Sequence, residues 1–171
     1  MVRATFRHAV SGGALLVCAV SATHALVLFY FGDPKWWLNV ALSMAALGLR
    51  PFFAEHRTFT VFVTAMFALV AATAISATDL SLRYGSAAGF HLLLFGFAPL
   101  MITSGRISHV VKWLLVVALT GTVIALDQAG AAPGGASMQL LAGQADAAAL
   151  LRATNLAALG LVMPALVNQY F

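Results

Sequence analysis

Charge is what this sequence has least of. Lys, Arg, Asp and Glu together make up 8% of its 171 residues, against about 25% in an ordinary soluble domain. So few charges cannot cover a surface that faces water. With 62% hydrophobic residues and a mean hydropathy of +0.96, the solvent expected for most of the surface is lipid. Cysteine is nearly absent. Cys18 stands alone in the first apolar run, which excludes an intrachain disulfide and any cysteine cluster for zinc or iron–sulfur, and it reads as a small buried hydrophobe. The net charge of +4 is scattered rather than gathered into basic runs interleaved with aromatics. It therefore lacks the footprint of a nucleic-acid binder and fits basic cytoplasmic loops instead.

Catalytic patterns are missing too. The chain has no Ser–His–Asp set at a common depth, no nucleophile elbow, no phosphate-cradling glycine loop and no His-Glu-x-x-His. Gly12-Gly13 and Gly134-Gly135 are isolated pairs. An enzyme is not expected on this chain alone.

What the sequence does have is apolar runs long enough to cross a bilayer, which takes about 20 residues. Six are expected, over about 11–31, 36–50, 58–77, 83–103, 109–126 and 151–170, giving an all-α integral membrane protein built as a single domain over 1–171. Arg3 and Arg7 before the first run resemble a signal peptide, but Leu26 to Phe31 are bulky where small cleavage-site residues belong, so a retained helix is the reading. Gly32-Asp33-Pro34 ends the first run and Arg50-Pro51 the second. The second run is short for a span.

Residues 127–150 are read as a periplasmic segment. Its first part is rich in Ala and Gly around Pro133; residues 138–152 form either an interfacial helix or the start of one long final helix. Arg3, Arg7, Arg50, Arg57, Arg106 and Lys112 fall on one side of the expected spans, and Lys35, Arg83 and Arg152 on the other. That bias places both termini in the cytoplasm, with Trp36 and Trp37 at the outer interface and Trp113 at the inner one. The chain closes on Asn168-Gln169-Tyr170-Phe171 without a basic anchor, as expected of a module from a longer polypeptide.

Ionisable and strongly polar side chains inside spans are the candidates for function. His24 lies in the first span and His91 in the fourth, both at comparable depth in the outer half. Two neutral imidazoles facing each other could ligate haem iron or a metal ion. The plainer reading is hydrogen bonding to hydroxyls such as Thr23, Ser43, Thr73 and Ser76, or to backbone carbonyls, worth about 1 kcal/mol each. Asn39 is either interhelical glue, a cap or a pocket wall. Asp33 and Asp79 in outer loops could share a hard cation, or Asp33 could simply form the turn before Pro34. His8, His56 and His109 read as interface residues, Glu55 as part of a solvated loop. Pro99 and Pro164 would each remove a helical hydrogen bond and kink their spans.

The stretch Ala88-Gly89-Phe90-His91-Leu92-Leu93-Leu94 followed by Pro99-Leu100-Met101-Ile102 resembles the fourth span of six-helix membrane domains at the amino end of bacterial nucleotide cyclases, of the class III adenylate and GGDEF diguanylate types. Asn39 after the tryptophans is similar to the second span of that family. The specific part covers about 15 residues. The resemblance implies a sensory domain of the bacterial inner membrane. It further implies a homodimer, with the sixth helix leading into a coiled coil and a cytoplasmic output domain. The long alanine-rich outer segment departs from the pattern. Ligand-binding residues are then expected to be His91, His24, Asn39 and Asp79, with haem b the sharpest cofactor candidate, held by His24 and His91. A small transporter or channel would instead need polar residues through the whole membrane thickness, and an internal repeat, for which there is no convincing sign. A structural subunit of a membrane complex would use the small residues of the first, third and sixth helices for packing.

Overall fold

The computed structural model describes residues 4–54, 56–84, 88–97, 109–131 and 145–170. Within them the chain is all-helical and contains no strand. The helices are α1 (Ala4–Tyr30), α2 (Trp37–Leu49), α3 (Phe59–Tyr84), α4 (His109–Ala131) and α5 (Ala145–Tyr170), with 3-10 segments at Arg50–Phe53 and Phe90–Phe97. Two stretches, Val10–Tyr30 and Phe59–Tyr84, are long and apolar enough to cross a membrane, and Trp37–Phe53 and Val116–Gln128 are shorter apolar helices. The chain divides into two compact units, one of Met1–Ser76 with Pro164–Phe171 and the other of Ala77–Met163.

In the first unit, α1 ends at a turn that its sequence dictates. Gly32 takes a φ of +79°, a left-handed conformation open to glycine at little cost. The Asp33 amide then reaches back to the carbonyl of Leu28 at 2.9 Å and the Gly32 amide to Phe29 at 3.0 Å, closing a Schellman motif on carbonyls the helix end would otherwise leave bare. The Asp33 carboxylate accepts the amide of Lys35 at 2.8 Å, an Asx turn across Pro34. This is the local role that the sequence left open for Asp33. At the other end, α2 tightens into 3-10 helix at Arg50-Pro51, where proline brings no amide. Ala54 turns extended, and the Thr58 hydroxyl accepts the amide of Val61 at 3.4 Å to start α3.

Three contacts fix how α1 lies against α2. As α1 advances from Arg7 through Ser11 to Cys18, its partners retreat from Ala54 through Arg50 to Ser43. The hairpin therefore holds one antiparallel register along its length. Its seam is spaced by threes and fours, with Val10, Ala14, Ser21, Ala25 and Leu28 from α1 and Asn39, Ser43 and Ala46 from α2 buried, the pattern of close-packed helices with small residues between them. The outward residues are large and apolar, with Leu26 at 70% exposure and Ile75 on α3 at 71%. Polar groups inside and apolar bulk outside is the reverse of what water selects.

In the second unit, α3 runs past Ala77 to Tyr84, so Arg83 closes α3 rather than opening the next span. Within 83–103, Arg83 and Tyr84 end α3, and the described residues beyond Gly89 form the 3-10 segment Phe90–Phe97. It follows Gly89, whose φ of +72° no α-helix can pass through. α5 is already helical at Ala145 and continues through Tyr170, about 39 Å at 1.5 Å per residue. Over 145–152 the long-helix alternative is therefore the one observed. Pro99, Arg106, Pro133 and residues 132–144 lie outside the described residues.

Candidate functional site

The buried polar residues of the first unit separate into two groups at the two ends of the hairpin. At one end Arg7, 6% exposed, donates Nη1 to the carbonyl of Ala54 at 2.6 Å and Nη2 to that of Arg57 at 2.9 Å, while its guanidinium lies 4.9 Å from the centroid of the Phe62 ring. Both carbonyls belong to the link between the Pro51 turn and α3; that of Ala54 also accepts the Arg57 amide at 3.1 Å. Phe53 and Phe62, edge to face at 5.9 Å, fill the space beneath. Arg50 and Arg57 belong to the same end, and Lys35 to the other.

Moving away from Arg7 along the seam, Val10, Ala14 and Ala46 form an apolar level. Polar atoms resume at Cys18 and Ser43. The Ser43 hydroxyl donates to the Cys18 carbonyl at 2.9 Å and lies 3.2 Å from its Sγ, so the thiol sits beside a polar neighbour and not in the purely apolar niche expected of it. One turn further, the constant register brings Asn39 level with Ala22, in the stretch of α1 that buries Ser21 and His24. Asn39 is 1% exposed, and neither its Oδ1 nor its Nδ2 has a hydrogen bond. An amide can offer two donors and an acceptor, and burying one without partners costs about 1–3 kcal/mol by mutational measures. Such a group calls for an explanation.

Three of the hydroxyls that could have served as partners are used elsewhere. Thr23 donates to the Ala19 carbonyl at 3.0 Å and Thr73 to Leu69 at 2.8 Å, each bonding back along its own helix, and Ser43 is committed to Cys18. What stays together around Asn39 is a short polar stretch of Ser21, His24 and Asn39, closed on one side by Ala14 and Ala46 and on the other by the Gly32 turn. At that turn Phe29 and Trp36 meet edge to face, at 5.1 Å and 70°.

His91 and Asp79 belong to the second unit. His91 falls within the 3-10 segment, but its side chain lies outside the described residues, so the expected His24–His91 pairing has no geometry. Asp79 forms an ion pair with Arg83 one turn on, at 2.8 Å. The carboxylate is about half exposed, which makes the pair weak. The segment carrying His91 is itself firmly placed. Asn155 of α5, fully buried, donates Nδ2 to the carbonyl of Ala88 at 2.9 Å, and a Cβ added at Gly89 would lie 3.3 Å from Cγ of Arg152. Phe90 is buried 5.9 Å from the Tyr84 ring. The sequence signal for Asn155 was the one that picked out Asn39, a lone amide in an apolar helix, whereas that for Arg7 was hidden because it resembles an interface charge.

No family model, curated protein or solved structure matches the chain.

Proposed function

We propose that this chain is a membrane-embedded sensory and dimerisation module of the bacterial inner membrane, a six-span bundle that regulates a cytoplasmic signalling domain of the nucleotide cyclase kind and is not itself a catalyst. The observation that carries the reading is the side chain of Asn39, buried with both polar atoms unengaged inside a hairpin whose outer surface is apolar. A group of that kind is stabilised when a ligand supplies the missing hydrogen bonds. It is therefore a receptor contact, in the outer half of the bundle when Arg7, Arg50 and Arg57 face the cytoplasm. Ser21 and His24 share its stretch of the seam. His91 and Asp79, the latter paired with Arg83, are the further ligand contacts we propose.

Ligand binding favours one arrangement of the helices over another, and the last helix passes that preference to an output domain and a second protomer. Haem b is the cofactor we propose first, with His24 and His91 as ligands. The Val10, Ala14 and Ala46 level supports a receptor over a channel, since it places apolar side chains where a polar pathway would have to continue.

The test is an absorption spectrum of the detergent-purified protein after haem-replete expression, oxidised and then reduced with dithionite. A Soret band that disappears in His24→Ala and in His91→Ala supports the haem form. A blank spectrum removes haem and leaves a colourless ligand. That case is tested by thermal stability in membrane extracts, where a fraction that stabilises the native chain but not Asn39→Leu is expected. Equal stabilisation of both would sink the Asn39 site.

A further inference from the structure

At the Arg7 end of the hairpin there is a cleft of about 420 Å³, lined by Arg7, His8, Ser11, Leu47, Arg50 and Phe53 among others. That size falls in the range of about 300–1,000 Å³ usual for small-molecule sites. Its floor is charged in an unusual way. Arg7 is nine-tenths buried, yet its guanidinium hydrogen-bonds only two neutral carbonyls and faces a phenyl ring. Those two bonds use two of its five N–H groups, and among the described residues no carboxylate balances its charge, which is costly to bury.

Arg50, on the rim, donates only Nε, to the Ser11 hydroxyl at 3.3 Å. Its two terminal nitrogens are left to point at a ligand. Among the described residues no carboxylate lines the cleft; Glu55, next to Ala54 in sequence, lies outside them. Leu47, Pro51 and Phe53 complete the wall with apolar surface.

Two guanidiniums and a hydroxyl over an apolar wall match one chemistry, an anionic phosphate ester. Arginine forks fit phosphate oxygens, and the wall suits hydrocarbon attached to the phosphate. We propose that this cleft binds the phosphate of an anionic phospholipid headgroup, tying the α1–α2 hairpin to the membrane surface at its basic end. For the lipid as the source, the proposal rests on the membrane-embedded reading above. For the phosphate chemistry it does not.

The experiment uses the full chain in a neutral maltoside detergent, titrated with phosphatidylglycerol, with phosphatidylcholine and with glycerol 3-phosphate while thermal stability is followed. Phosphatidylglycerol is expected to half-saturate at about one-fifth of the phosphatidylcholine concentration, the fold-change that one basic residue near an anionic lipid is worth. Arg50→Gln should abolish that preference and Arg50→Lys should keep part of it. Lys35→Gln, which removes the same charge at the opposite end, should keep all of it. Displacement by glycerol 3-phosphate at equal phosphate concentration would make a soluble ester the source and keep the site. An unchanged preference in Arg50→Gln, or no preference for any phosphate, overturns the proposal. Recovery of the chain outside the membrane fraction would sink the membrane reading separately, because the glycerol 3-phosphate titration still reports on the cleft.

Discussion

Among the described residues two asparagines are buried, one in each compact unit, and they are used differently. Asn155 spends its Nδ2 on the Ala88 carbonyl and so holds a glycine turn against α5, with only its Oδ1 left without a partner. Asn39, equally buried, holds nothing. Arg7 belongs with Asn155, since both of its terminal nitrogens close on carbonyls of the link between the Pro51 turn and α3. The difference teaches how to separate structural polar groups from receptive ones inside an apolar bundle. A structural group is paired to backbone that the fold has interrupted. A receptive group is carried into the interior beside unbroken helix, where every carbonyl is already taken.

Substitutions can break this comparison. The largest effect is expected for Arg7→Met, which removes two charge-assisted bonds and takes the guanidinium donor from the Arg57 carbonyl. A loss of about 3 kcal/mol or more should appear in denaturation in detergent, and a loss under about 1 kcal/mol would mean the latch is decorative. Asn155→Leu should cost about 2 kcal/mol, because the Ala88 carbonyl loses its donor; a neutral result would put Asn155 in the same class as Asn39. Gly89→Ala tests the turn that Asn155 holds. A left-handed φ and a 3.3 Å approach to Arg152 together predict about 1–2 kcal/mol of destabilisation, read as a lowered melting temperature. The smallest change is expected at Asn39→Leu. Replacing an unpaired amide with an apolar side chain of similar size should leave stability unchanged or raise it by about 1 kcal/mol, and a clear loss would show that Asn39 is structural after all.

Much of the fold is legible in the sequence because apolar run length and turn residues are strong signals. Gly32-Asp33-Pro34 and Arg50-Pro51 bound α2 as their chemistry requires. Asn39 and His24 stand out as polar residues in apolar runs, and both are buried. The 3-10 geometry of Phe90–Phe97 was hidden, since its apolar composition fits an α-helix equally well and only the backbone of Gly89 decides. Arg7 was hidden for a different reason. Its partners are carbonyls released by a turn some fifty residues away, and main-chain atoms leave no mark in a sequence. The hairpin register was likewise out of reach, because it depends on the match of Cys18 to Ser43 and of Ser11 to Arg50, not on any one residue.

That register also bears on the order in which the chain acquires structure. From the Gly32 turn outward, the cross-links join residues 25, then 39, then 47 and 50 positions apart. Once one has formed, the next closes only a short additional loop, and the entropic cost of closure rises slowly with length. The hairpin can thus shut like a zipper from its tip. Every hydrogen bond in this ladder is available as soon as the chain has been synthesised to Arg57, so the level at which Asn39 comes to rest is set before any later helix has been made.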